Sequence, residues 1–152
     1  MLHRQTVLVL LIVLGLVGPA AAQTPSDSDQ AAFRSIISSQ IEAFRSGDGA
    51  KAFSFASPTL NRQFGNPETF MEMVRRGYQP VIDPQSFTFG PVTAETNGRP
   101  TQVVTILDKA GKSWTALYAF ERQPDGTWRI SGVILKELEG VDARASGLTV
   151  PA

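Results

Sequence analysis

Hydrophobic and polar positions follow one period in the first half of the chain and another in the second. Phe33, Ile36, Ile37, Ile41 and Phe44 recur at helical spacing, with Arg34, Ser38, Ser39, Glu42 and Arg45 between them. This predicts an amphipathic helix opened by Asp27 or Asp29 and closed at Gly47. Asp48 or Gly49 starts a second, shorter helix that carries Ala52, Phe53 and Phe55 and stops before Pro58. Ser57-Pro58 begins a single helical turn through Leu60 and Phe64, and Asn66-Pro67-Glu68 starts a helix through Phe70, Met71 and Val74 to Gly77. Proline suits the first helical position because its missing N–H has no partner there, and the Asn before it can cap the exposed N–H groups.

After Pro84 the period shortens. Phe87 and Phe89 alternate with polar neighbours, and Val103–Leu107, Trp114–Phe120 and Trp128–Leu135 are rich in β-branched and aromatic residues. Asn97-Gly98, Ala110-Gly111 and Asp125-Gly126 stand between them with the turn chemistry of hairpins. The prediction is an α+β fold: N-terminal helices packed on one face of a curved, four-stranded antiparallel meander. Parity along the strands places Trp114, Ala116, Tyr118 and Phe120 toward the helices. It places Val103, Leu107, Leu117, Val133 and Leu135 on the opposite side, a face too apolar to be wholly solvated. Self-association is one way to cover it: a homodimer through the back of the sheet is one expectation, and a monomer with a mixed surface is the other.

The N-terminus carries an address. His3 and Arg4 precede an apolar run of 11 residues, Val7 to Val17, followed by Gly18, Pro19 and Ala20, Ala21 and Ala22. That order predicts a signal peptide over 1–22, cleaved after Ala22, and a periplasmic or secreted protein without a stable membrane anchor. Spanning a bilayer core takes about 20 residues, so a retained anchor is the lesser alternative. No cysteine follows the run to take a lipid. Residues 23–28 read as a disordered leader, 29–139 as a single α+β domain and 140–152 as a flexible tail.

Composition narrows the chemistry. Among 152 residues there are 14 basic and 14 acidic side chains, no cysteine and one histidine, His3, inside the expected signal. Such a domain stands on packing alone, without disulfides, and lacks thiolate or imidazole catalysis and the usual zinc ligands. No metal or cofactor is expected, and the balanced charge leaves no footprint for nucleic acid or an anionic membrane.

Several stretches carry a resemblance. They are Gln40-Ile41-Glu42-Ala43-Phe44 with Asp48, Ala52-Phe53-Ser54-Phe55-Ala56-Ser57-Pro58, Phe70 with Met73-Val74, and Tyr78-Gln79-Pro80-Val81. Further along come Trp114-Thr115-Ala116-Leu117-Tyr118 and Gln123-Pro124-Asp125-Gly126-Thr127-Trp128-Arg129-Ile130-Ser131-Gly132. In order and spacing these resemble the bacterial family called domain of unknown function 4864, over about Ala32 to Leu138. Val133 departs from it, where the resemblance leads one to expect cysteine. Helices followed by a curved sheet also resemble the nuclear-transport-factor-2-like, or cystatin-like, α+β cone. The resemblance implies a fold and a bacterial envelope location, and it assigns no catalytic residue.

A cone of this kind implies a mouth able to hold a small apolar ligand. The candidate lining is Phe53, Phe64, Phe70, Met73, Tyr78, Trp114, Tyr118 and Phe120, although rings at these spacings also make an ordinary core. Tyr78 and Tyr118 stand out because a buried phenol needs a hydrogen-bond partner. A non-catalytic binding or interaction module is the first expectation. The alternative is a small cofactor-free enzyme of the isomerase or dehydratase type, moving protons with a buried carboxylate. Glu72, Asp83 and Glu121 are its weak candidates: Glu72 equally suits a helix-surface pair with Arg75 or Arg76, Asp83 a turn start, and Glu121 a solvated hairpin end.

Overall fold

The computed structural model describes residues 24–96 and 98–139. The expected signal peptide, the tail over 140–152 and the turn residue Asn97 lie outside the described residues. Among the described residues, five helices precede four strands: α1 (Asp27–Arg45), α2 (Gly49–Ser54), α3 (Pro58–Phe64), α4 (Pro67–Gly77), α5 (Gln79–Ile82), then β1 (Ser86–Thr96), β2 (Arg99–Leu107), β3 (Ser113–Arg122) and β4 (Trp128–Glu137). The sheet is an antiparallel meander in the order β1-β2-β3-β4, and the fold is α+β.

The helix starts follow from capping chemistry. Ser26 opens α1: its hydroxyl accepts the Asp29 N–H (3.2 Å), and its own N–H donates to the Asp29 carboxylate (3.0 Å). The helix therefore begins inside the expected leader, and neither Asp27 nor Asp29 is the cap. Asp48, Ser57 and Asn66 cap α2, α3 and α4 with their side chains, as the sequence suggests. The four-residue α5 is not among the helices that the sequence predicts; Pro80 occupies its first turn, where proline costs no hydrogen bond. Gly49 lets α2 approach α4, since a Cβ there would lie 2.8 Å from Met71 Cγ.

The hairpin ends need their glycines. Gly98, Gly111 and Gly126 have φ of 70°, 83° and 85°, a region closed to most side chains. Register then decides the faces. Tyr118 pairs with Gln102 and Val133, Ala116 with Val104 and Leu135, and Phe87 and Phe89 lie opposite Ile106 and Val104. All of these apolar side chains belong to or pack on the core that Phe33, Ile37, Ile41 and Phe44 of α1 and Phe70, Met71 and Val74 of α4 build from the helical side.

One element of the parity reading is corrected. In β4, Gly132 pairs with Ala119 and Ile130 with Phe120, which leaves Ser131 as an extra residue. A bulge of one residue exchanges the faces of everything beyond it. Val133 and Leu135 consequently turn inward against the core, and Ile134 turns outward at 44% exposure. The outer face keeps Val103, Leu107 and Leu117 from the predicted patch and gains Ile134 beside Leu117.

Candidate functional site

The last strand is hydrogen-bonded to the helical layer at several places, two of which frame a cavity. At one, the chain around Ala56 runs beside β4: the Ser57 N–H donates to the Ile130 carbonyl and the Ile130 N–H to the Phe55 carbonyl, each at 2.8 Å. At the other, the Tyr78 hydroxyl donates to the Val133 carbonyl at 3.1 Å. A cavity of about 230 Å³ is bordered by both attachments. Gln40 and Phe44 of α1 border it, with Leu60, Gln63 and Phe64 of α3 and Phe70, Met73 and Val74 of α4. Tyr78, Val81 and Ala56 join them from the connections and α5, and Tyr118, Ile130, Gly132 and Val133 from the sheet.

The wall is apolar and uncharged. Phe64 meets Phe70 edge to face with centroids 5.8 Å apart, and Phe44 and Phe70 lie 6.3 Å apart at 25°. No Asp, Glu, Lys or Arg contributes to it. Its polar groups are Gln40, Gln63 and the two phenols. The Gln40 side chain, 4% exposed, donates through Nε2 to the Ala52 carbonyl at 3.1 Å, so its amide oxygen remains to accept. Tyr78 is partnered by Val133. Tyr118 is buried, its hydroxyl has no hydrogen-bond partner among the described residues, and burial pushes its pKa well above the ordinary phenol value.

Of the eight candidate lining residues, Phe64, Phe70, Met73, Tyr78 and Tyr118 meet at this cavity, and Phe53, Trp114 and Phe120 do not border it. Phe53 packs behind Phe70 with centroids 5.1 Å apart. Phe120 is stacked on Phe33 at 4.3 Å in a filled part of the core. Trp114 lies toward the other end of β3, where its indole N–H donates to Asp108 at 2.8 Å and holds that carboxyl below the usual carboxylate range.

The three candidate carboxylates are also elsewhere. Glu72 pairs with Arg76 at 2.8 Å on the exposed side of α4. Asp83 joins Arg45 (3.3 Å) and Lys109 (3.4 Å), tying the end of α1 to the start of the sheet. Glu121 faces Arg99 at 3.8 Å. None borders the cavity, so none is placed to act as a base within it.

Gln40 and Val133 are the informative additions. Gln40 falls within the apolar stripe of α1, between Ile37 and Phe44, and a polar residue in such a stripe is a signal a sequence does carry. Val133 was hidden by the bulge.

Fold and cavity together define a class: a small α+β domain, helices first, with an uncharged pocket between its helical layer and its last strand. More narrowly, the chain belongs to the family described as domain of unknown function (DUF4864), whose model matches residues 26–143. No curated protein and no solved structure matches the chain.

Proposed function

We infer that the protein is an exported, non-catalytic binding module that holds a small apolar molecule in the cavity against β4. One observation carries this reading: a cavity of about 230 Å³ whose wall contains no charged side chain and is built largely of Phe, Met, Val and Leu. The positive, apolar and small-residue order before Gln23 supports export. Helices leading into a bulged meander support placement in the nuclear-transport-factor-2-like, cystatin-like superfamily. Val103, Leu107 and Leu117, with Ile134 beside them in place of Val133 and Leu135, support a homodimer through the outer face of the sheet.

Native mass spectrometry of the purified protein tests ligand and assembly together. The expected spectrum contains a retained neutral molecule and a dimer, and a monomer alone at tens of micromolar would remove the dimer. For the pocket, single-ring hydrocarbons are titrated by protein-observed NMR, with shifts expected at Leu60, Val74 and Val133. Unmoved resonances at all three would end the binding reading.

A further inference from the structure

An apolar cavity accounts for the rings and aliphatic groups around it and leaves Tyr118 unexplained. Tyr118 stands in the middle of β3, 1% exposed, between Gln102 and Val133. It forms part of the cavity wall, yet its hydroxyl finds no partner among the described residues. Tyr78 in the same wall is satisfied by a backbone carbonyl. A buried hydroxyl has surrendered its hydrogen bonds to water, so leaving it unpartnered is costly, and phenylalanine would fill the same space without that cost. Tyr118 lines the cavity, and because its hydroxyl is closed to water, a partner from that side reaches it with a local shift of the wall.

We propose that Tyr118 is a ligand-recognition residue, whose hydroxyl donates a hydrogen bond to the carbonyl-type oxygen of a neutral, single-ring or short-chain molecule seated in the cavity. The proposal rests on the cavity being a binding site and adds the chemical class of its occupant. Size sets the first limit: about 230 Å³ lies below the roughly 300–1,000 Å³ of pockets for drug-sized ligands and above the roughly 150 Å³ that accommodates benzene. Charge sets the second, because an ion entering a wall without a counter-charge loses its hydration uncompensated. The direction of the hydrogen bond sets the third. The phenol is protonated through the neutral range, and its O–H offers a donor. Gln40, with its nitrogen committed to Ala52, offers an acceptor to any ligand N–H or O–H. Sheltered from solvent, such bonds discriminate strongly between a ligand that satisfies them and one that does not.

The test compares acetophenone with α-methylstyrene, which has the same planar shape with a methylene in place of the carbonyl oxygen. Both are titrated by NMR into the wild-type protein, Tyr118→Phe and Leu60→Trp. The ratio of the two affinities is compared between wild type and Tyr118→Phe, so that differences in ligand hydration cancel. The expected result is a preference for the ketone that falls about tenfold in Tyr118→Phe, the worth of one hydrogen bond, with binding of the hydrocarbon retained. An unchanged ratio overturns the role of Tyr118 and leaves the apolar cavity standing. Failure of both probes to move cavity resonances in the wild type overturns the cavity reading and this proposal with it. Leu60→Trp, at the half-buried rim, is expected to weaken both probes together, and undiminished binding there would place them outside the cavity and overturn both readings.

Discussion

Two clusters of rings join the helices to the sheet, and they are built to different densities. In the first, Phe33 stacks on Phe120 at 4.3 Å and meets Trp128 edge-on at 4.9 Å; Phe33 and Phe120 are wholly buried, and the Trp128 indole N–H is anchored by Asp29 at 2.9 Å. In the second, Phe64 and Phe44 stand 5.8 and 6.3 Å from Phe70 beside the cavity, which Tyr118 lines from the sheet. The residue types are nearly the same. The difference lies in what opposes them: α1 meets the sheet directly at Phe33, whereas Ala56, Gly132 and the short α3, which buries no residue, face the second cluster. Aromatic content alone therefore does not separate a filled core from a cavity; the size of the opposing groups does.

That contrast can be broken by truncation. Phe33→Ala, in the filled cluster, is expected to lose about 3–5 kcal/mol, and Phe64→Ala, half-buried at the cavity, less than about half of that, both measured by urea unfolding. Equal losses would mean that the two clusters are packed alike. Tyr118→Phe should move the other way, gaining about 1 kcal/mol in the same measurement, because it deletes an unpartnered hydroxyl and keeps the ring. A marked loss there would show that the hydroxyl has a partner after all.

The filled cluster also carries a pH signature. The hydrogen bond from Trp128, followed by the capping interactions of Ser26, holds the Asp29 carboxyl below its ordinary 3.8. A depressed carboxylate contributes stability that is present above the unfolded value and lost as pH falls through the folded one. Stability should therefore drop as the medium is acidified below about pH 4, and Asp29→Asn should make that drop shallower. An identical acid limb in the variant would sever Asp29 from it. The smallest effect is expected in hydrogen exchange: amides of α3 should exchange fastest among the four longer helices and slow when the cavity is occupied, and full protection of α3 in the free protein would contradict the loose packing of this region.

Most of the architecture was legible because local chemistry and global fold agree. Asp48, Ser57 and Asn66 announce three helix starts through the hydrogen bonds they make, and the hairpin glycines mark turns that only they can form without strain. The missed elements are those in which a local rule yields to tertiary context. Pro80 sits inside a short helix because the first turn does not need its N–H, and the faces of Val133 and Leu135 depend on one unpaired residue, Ser131, whose bulge leaves no mark in a pattern of period two. For the site, five of eight candidate residues converge. Trp114 and Phe120 belong to the correct face at other points along it, since parity fixes a side of the sheet and says nothing of position relative to the helices above.

The consequence of a helix with no fully buried residue reaches past stability. α3 packs on the core through the half-buried Phe64, so on the proposed binding reading the seven residues from Pro58 to Phe64 are the part of the wall that can move at the least loss of packing. On that reading, altering its rim residues would tune how long a guest stays without redesigning the chamber that receives it.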